Sequence, residues 1–254
     1  MRVIIKNADF QVYGLGDISG LLSEVSSKFG GISDITPVET FFRALGADGS
    51  NEIWPKIKCL YMPCLGVPTD GANALYDIIG KENYPGSNYT IEAKRGVSPT
   101  TLGQSIGESS IPSGIDDSNM SFFGVITQSS RQTLGSSSGE AMRVGGIIIN
   151  WQSVSFVLTD ETNPLLMIPS GGFLNPIPFV LTSPENGMRT LIGKQGQNTA
   201  EISKTINYFN LSGRTSWADS SILAICSGLT AEDANVVLTA LNSFITDYGV
   251  VSAN

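Results

Sequence analysis

Short apolar runs recur about every ten residues in the second part of the chain, a spacing typical of all-β proteins, and they constrain the fold more than any other feature. Gly, Pro, Asn and Ser separate the runs, as expected for turns between strands. The runs predicted as strands are 89–94, 120–127, 142–151, 154–159, 165–168, 178–181, 188–192, 202–209 and 221–226. The sequence therefore predicts a mostly-β protein built as one antiparallel β-sandwich, with no internal repeat.

The first part of the chain has a different pattern. An edge strand is predicted at its start, followed by a helix over 17–29 and a strand over 57–62. A second helix is better marked, because Thr36 suits the N-cap, Pro37 the first helical position and Glu39 the third. We therefore predict two parts: residues 1–84, with an N-terminal strand and helices that dock the protein, and residues 85–254, which form the sandwich with its closing helix.

The C-terminal stretch carries the most regular pattern of the chain. A buried strand is predicted up to residue 228, and a helix follows with Thr230 as N-cap, Asp233 completing a capping box and Gly249 after its last turn. One face of this helix is apolar, at Val237, Leu238, Leu241, Phe244, Ile245 and Tyr248. The pattern predicts a helix that packs on the surface of the sandwich.

The charge balance excludes several classes of partner. The net charge is −8, with only 15 Lys and Arg residues, which opposes nucleic-acid binding. The apolar runs are strand-sized and shorter than a membrane-spanning helix requires, so no membrane role is expected. The N-terminus lacks the pattern of a signal peptide, which predicts synthesis in a cytoplasm without general secretion. Charged residues make up 15% of the chain, and this low fraction suits large, partly polar interfaces between subunits.

Cysteine and histidine usage limits the chemistry. The three cysteines, Cys59, Cys64 and Cys226, are predicted to be free and buried. The chain has no histidine, which removes histidine-based nucleophilic catalysis and histidine-ligated metals and leaves carboxylates, Lys and Tyr as catalytic groups. These observations predict no enzymatic activity, no metal and no cofactor.

Five segments spread along the chain carry a family resemblance. They are Ile-Ile-Lys-Asn-Ala-Asp-Phe at 4–10, Phe-Phe-Arg-Ala-Leu-Gly at 41–46, the stretch 53–63, Ser-Phe-Phe-Gly-Val-Ile-Thr at 121–127 and the stretch 221–230 with its helix. In these segments the chain resembles virion proteins of tailed phages of Bacteroidota that carry a concanavalin A-like (LamG-like) jelly-roll domain.

The resemblance implies a non-enzymatic virion structural protein, such as a tail, fibre or capsid-decorating component. It further implies synthesis in the host bacterial cytoplasm, a final location in the virion, other virion proteins as partners, and self-association into a homo-oligomer. The concanavalin A-like jelly roll is the fold that it implies for the sandwich.

A glycan-binding adhesion module that recognises the host surface is the alternative function. Sugar recognition calls for an exposed aromatic ring beside polar side chains. Trp217 lies in a polar loop between Arg214 and Asp219, and these three residues form the predicted glycan site. The other tryptophans, Trp54 and Trp151, adjoin apolar strands and are predicted in the core or at the edge of the sandwich, with Tyr84 and Tyr89 as weaker candidates.

A carboxylate-based glycosidase is a third, less favoured hypothesis. The spacing Glu-x-Asp-x-x-Glu, which would hold two carboxylates on one face of a strand, does not occur in the sequence. The acidic pairs at 116–117 and 160–161 are predicted as turn residues. With Asn119 and Asn163 they could also offer oxygen ligands to calcium, although turn chemistry explains them more simply.

Overall fold

The computed structural model describes residues 16–30, 32–70, 75–84, 88–100, 109–128, 138–144, 147–152, 155–159, 164–169, 176–202, 208–210 and 218–251. Its helices are α1 (Ser19–Lys28), α2 (Thr36–Ala44) and α3 (Ala231–Tyr248). Its strands are β1 (Ile57–Tyr61), β2 (Tyr89–Glu92), β3 (Gly96–Pro99), β4 (Ser109–Ser110), β5 (Met120–Gln128), β6 (Ser138–Val144), β7 (Ile147–Gln152), β8 (Ser155–Thr159), β9 (Pro164–Pro169), β10 (Ile177–Leu181), β11 (Met188–Gly193), β12 (Gly196–Glu201), β13 (Tyr208–Asn210) and β14 (Ala218–Ser227).

The strands form two antiparallel sheets. Within the described residues, the larger sheet has the order β12-β11-β10-β5-β14-β3-β2, and β1 also pairs with β14. The smaller sheet has the order β4-β13-β6-β7-β8-β9. Strand β14 is long enough to take two partners on one side, pairing with β3 at Ser220 and with β1 from Leu223 to Cys226.

The central strands of the larger sheet are buried on both faces, and β5 illustrates the reason. Phe122 and Ile126 pack in the core that also contains Val144 of the smaller sheet. Phe123 and Val125 instead pack with the apolar side chains of the three helices. Because successive side chains of a strand point to opposite faces, one strand contributes to both cores. The result is three layers, with the larger sheet between the smaller sheet and the helices.

Short polar side chains set the starts of the helices. The Thr230 hydroxyl accepts a hydrogen bond from the Asp233 backbone N–H at 3.2 Å, and the Asp233 carboxylate accepts from the Thr230 N–H at 2.9 Å, which confirms the predicted capping box. Gly249 adopts the left-handed conformation after the last turn, also as predicted. The N-cap predicted for α2 was wrong: Thr36 is its first helical residue, and its N–H donates to the Asp34 carboxylate at 2.9 Å.

The predicted fold class is confirmed: the protein is mostly β, with antiparallel sheets in a sandwich, helices in its N-terminal part and a closing surface helix. Individual strands needed correction. The run predicted as one strand over 142–151 forms two antiparallel strands, β6 and β7, with Gly145 and Gly146 between them in sequence. Strands β3, β4 and β12 were not predicted, because Ser, Gly, Gln and Asn dominate them and leave no apolar run.

The proposed division into residues 1–84 and 85–254 stays a prediction. In the described part of the chain, β1 pairs with β14, and α2 packs on α3 with the Phe41 and Phe244 ring centroids 5.1 Å apart. None of the helices in these ranges is long and apolar enough to cross a membrane. The three cysteines are free and buried, as predicted, and burial raises the pKa of each thiol.

Candidate functional site

A polar cleft lies at the end of the larger sheet where β5 begins and β12 ends. It has a volume of about 650 Å³ and is lined by Asp116, Asp117, Ser118, Pro184, Gly187, Glu201 and Ile202. We call it the 116–202 cleft. Carboxylates and a hydroxyl line it together with two apolar side chains, and its volume is in the range of small-molecule binding sites.

A network of short hydrogen bonds shapes the loop on one side of the cleft. The Asp116 carboxylate accepts from the Ser118 N–H at 2.8 Å and from the Ser118 hydroxyl at 2.5 Å. The Asn119 side chain accepts from the Asp116 N–H at 3.0 Å and donates to the Gly114 carbonyl at 2.9 Å. The bonds from Ser118 hold the pKa of Asp116 below its ordinary value, so this carboxylate is ionised at neutral pH. These contacts confirm that Asp116 is a turn residue.

The fully buried Arg189 of β11 holds that loop against the sheet. Its guanidinium donates to the backbone carbonyls of Met120, Asp117, Thr182 and Ile202, the last two at 3.2 and 3.3 Å. It also lies 3.2 Å from the Asp117 carboxylate. Burial lowers the pKa of Arg189, an effect that the charge of Asp117 opposes. Since Arg189 donates hydrogen bonds to the carbonyls of segments from three places in the chain, it fixes the walls of the cleft.

A second cavity lies between α2 and α3. It has a volume of about 470 Å³, and its lining includes Pro37, Phe41, Ala44, Val236 and Phe244. The polar residues Thr40, Asn235, Thr239, Ser243 and Asp247 also border this groove, but most of its exposed lining is apolar, unlike that of the 116–202 cleft. The groove is the poorer candidate for a ligand that presents hydroxyl groups.

Of the glycan site predicted from the sequence, the structure describes only Asp219, whereas Trp217 and Arg214 lie outside the described residues. Asp219 is in β14, is 5% exposed and stands opposite Thr127 of β5. The first residue of β5, Met120, lies beside the 116–202 cleft, so Asp219 is about 23 Å away at the other end of the sheet. The predicted site and the cleft are therefore separate places, and the former stays a prediction.

Of the other aromatic candidates, Tyr84 and Tyr89 are buried and Trp54 is partly buried. Tyr84 and Tyr89 are 2% and 7% exposed, and their hydroxyls make hydrogen bonds with backbone groups of Phe209 and Leu75. Trp54 packs against Phe42, with ring centroids 5.1 Å apart, as its apolar sequence context predicts. The buried Tyr84 and Tyr89 rings therefore offer no platform for a sugar.

Sequence reasoning missed Glu201 and Arg189 as parts of a site. Glu201 is at the end of β12, which has no apolar pattern. Arg189 lies between Met188 and Thr190 in β11. The only signal for it in the sequence was a charged residue within a predicted strand. The other acidic segment, predicted as a turn at 160–163, lies outside the described residues. Among the residues that are described, no cluster of three acidic or cysteine side chains could hold a metal ion.

Comparison with known proteins gives a fold and no family. No family model and no curated protein match the sequence. The fold is similar to Trypanosoma rangeli sialidase in complex with sialic acid, at 7% identity and a TM-score of 0.55, covering 83% of this chain and 38% of that chain. A second structure of Trypanosoma rangeli sialidase matches at 9% identity and a TM-score of 0.52, covering 82% of this chain and 38% of that chain. A sialidase complex with the inhibitor DANA matches at 9% identity and a TM-score of 0.50, covering 84% and 40%.

These similarities correct the functional predictions. The structures named above are sialidases, and this finding contradicts the predictions of a virion structural protein and of no enzymatic activity. At such low identity the similarity shows the fold, and the chain spans about two fifths of the sialidases' length. The resemblance to phage proteins, the virion location and the expected protein partners stay predictions, since no comparison tests them.

Proposed function

We propose that the chain binds neutral glycans in the 116–202 cleft, as part of a carbohydrate-active protein. The observation that carries this proposal is the cleft itself, which offers carboxylate and hydroxyl groups from two separate segments held in place by buried Arg189. Ionised carboxylates accept hydrogen bonds from sugar hydroxyls, and the partly exposed Pro184 provides apolar surface for the C–H face of a sugar ring. The similarity to sialidases supports the choice of sugars as the ligand class.

The charge of the cleft favours neutral over anionic sugars. Asp116, Asp117 and Glu201 all line it, whereas Arg189 is fully buried, does not line it and already donates to Asp117. A carboxylate on the ligand, such as that of sialic acid, would be repelled by these like charges and would find no cationic partner in the cleft lining. We therefore expect binding of uncharged oligosaccharides in preference to sialylated or uronic-acid oligosaccharides.

Calorimetric titration with a panel of neutral and anionic oligosaccharides tests the proposal. Glu201→Ala should weaken binding of the neutral ligands by about tenfold or more, because a hydrogen bond to a charged acceptor contributes about 1.5–3 kcal/mol. Glu92→Ala is the matched control, since Glu92 also ends an edge strand, but on the opposite side of the same sheet. Equal loss in both variants, or no binding by any sugar in the panel, would contradict the proposal.

Turnover of the same oligosaccharides is measured in a parallel assay. Acid–base hydrolysis of a glycosidic bond requires a pair of carboxyl groups, and the cleft has carboxylates from two segments. Released reducing ends are therefore assayed alongside binding. If hydrolysis occurs in the cleft, Glu201→Gln should lower its rate while Glu92→Gln leaves the rate unchanged.

A further inference from the structure

The β11–β12 hairpin presents a face that begins at the 116–202 cleft. Its register pairs Met188 with Glu201, Thr190 with Thr199, and Ile192 with Gln197. Because side chains alternate along a strand, these three pairs lie on one face of the sheet. Glu201 also lines the cleft, so this residue belongs both to the cleft and to this face.

The side chains of β12 are the most exposed part of this face. Glu201, Thr199 and Gln197 are exposed, and Met188 is 41% exposed. On the inner strand exposure decreases from Met188 through the half-buried Thr190 to Ile192, which is 4% exposed in the helical layer. An exposed strip therefore runs from Glu201 to Gln197, a length of about 13 Å at the usual rise of a strand.

The chemistry of the strip matches that of an uncharged sugar chain. The Thr190 and Thr199 hydroxyls are 3.0 Å apart and hydrogen-bonded to each other, which leaves acceptor and donor capacity on the pair. Gln197 carries both a donor and an acceptor group, and Met188 offers an apolar contact. Between Glu201 and Gln197 the strip itself carries no other charged side chain.

We propose that the ligand of this protein is a linear neutral oligosaccharide, which occupies the cleft with one end and lies along β12 over Thr199 and Gln197 with the rest. This inference rests on the proposed function and adds the ligand's length and direction to it. A single sugar ring is too short to reach from Glu201 to Gln197, so affinity depends on the number of sugar units.

The test measures affinity against chain length, with neutral oligosaccharides of one to six units. In the wild-type protein, affinity should rise about tenfold as the chain grows past the cleft, as expected from two added hydrogen bonds. The double variant Gln197→Ala/Thr199→Ala should lose this gain and bind the shortest ligands as the wild type does. Thr90→Ala is the control, because Thr90 is an exposed threonine on β2, the other edge strand.

The outcomes separate this inference from the proposed function. If short and long oligosaccharides bind equally well, or if the double variant keeps the gain with length, the inference is overturned while glycan binding in the cleft stands. If none of the oligosaccharides binds to folded wild-type protein, both are overturned. Thermal unfolding of each variant confirms that a lost affinity does not come from a lost fold.

Discussion

At the scale of single residues, Arg189 connects the fold to the cleft. It is a fully buried charge whose donors are used by carbonyl groups from the loop before β5, from the end of β10 and from the end of β12. Burying a charge without partners has a high free-energy cost, and the hydrogen bonds to these carbonyls and to Asp117 offset it. The cleft therefore depends on one side chain that does not itself reach solvent.

Replacement of this residue tests that dependence. Arg189→Met should lower the free energy of unfolding by about 3 kcal/mol or more, because several buried carbonyls lose their donor at once. Urea denaturation measures the change. Arg43→Met is the control, since the Arg43 side chain is 40% exposed and its ion pairs with Glu39 and Asp48 are open to solvent, so its loss should change stability much less. A similar loss in both variants would contradict the role assigned to Arg189.

Asp77 is the second buried ionisable residue with structural consequences. It is 3% exposed, and its carboxylate accepts from the Leu60 N–H at 2.8 Å and the Ile79 N–H at 2.9 Å. Burial raises the pKa of Asp77 from 3.8 to about 6, although these hydrogen bonds oppose the shift. The folded protein therefore holds a proton at pH 5 that the unfolded chain has released.

A pH dependence of stability follows from this shift. The folded pKa lies above the unfolded one, so the contribution of Asp77 is full below about pH 4 and is lost as the pH rises through about 6, by roughly 2–3 kcal/mol. Asp77→Asn keeps an acceptor oxygen and removes the titration, so its stability relative to wild type should increase between pH 4 and 7. Urea denaturation at several pH values measures the difference. A difference that is constant over this range would show that Asp77 does not titrate there.

At the scale of elements, the start of α3 combines local capping with a long-range contact. The Thr230–Asp233 capping box satisfies two backbone N–H groups, and Lys56, far away in sequence, lies 2.6 Å from the Asp233 carboxylate. The helix is thereby joined at its first turn to the segment that leads into β1. This contact explains how a helix at the end of the chain is attached to its N-terminal part.

The cap has a measurable contribution. Thr230→Ala should lower the free energy of unfolding by about 1 kcal/mol, the usual effect of removing an N-cap side chain. Thr246→Ala serves as the control, because Thr246 is an exposed threonine of the same helix whose hydroxyl donates to the carbonyl of Asn242, and its loss should change stability by no more than about 0.5 kcal/mol. Thermal or urea denaturation of the two variants compares them directly, and equal effects would argue against the cap.

At the scale of the whole molecule, the helical layer stabilises the sandwich. Phe244 of α3 is 2% exposed and packs between Phe41 of α2 and Tyr248, with ring centroids 5.1 Å apart in both pairs. The same apolar layer contains Phe123 and Val180 of the larger sheet. Helices from both ends of the chain and the central strands therefore share one core.

Phe244→Ala tests whether this core unfolds as one unit. Truncation of a buried phenylalanine should lower the free energy of unfolding by about 3–5 kcal/mol. Sheet content from circular dichroism and tryptophan fluorescence should lose their signals at the same denaturant concentration. Val236→Ala, on the exposed side of α3, should change stability by no more than about 0.5 kcal/mol. Separate transitions for the two signals would indicate that the N-terminal part unfolds independently, as the predicted division at residues 84 and 85 implies.

Local patterns in the sequence were sufficient for the fold class. Alternating or continuous apolar runs, turn residues between them and the Thr230–Asp233 cap depend on neighbours in the chain, and these features predicted the strands, the closing helix and the buried free cysteines. Local patterns failed where polar strands such as β12 form only because a partner strand pairs with them. They also failed at 142–151, where one apolar run folds back as two strands.

The candidate site was decided by tertiary structure alone. Asp117, Arg189 and Glu201 are separated by 72 and 12 positions in the sequence, and nothing local marks them as neighbours. They lie near each other because β12, β11, β10 and β5 are neighbours in one sheet. The buried Arg189 guanidinium also donates hydrogen bonds to backbone carbonyls near the ends of these strands. The sequence by itself determined that this chain is an antiparallel sandwich with a capped closing helix, since periodicity and capping act between near neighbours. Only the tertiary structure brought Asp117 and Glu201 to one cleft and buried Arg189 against the Asp117 loop, since sheet order and burial act between residues that the sequence keeps apart.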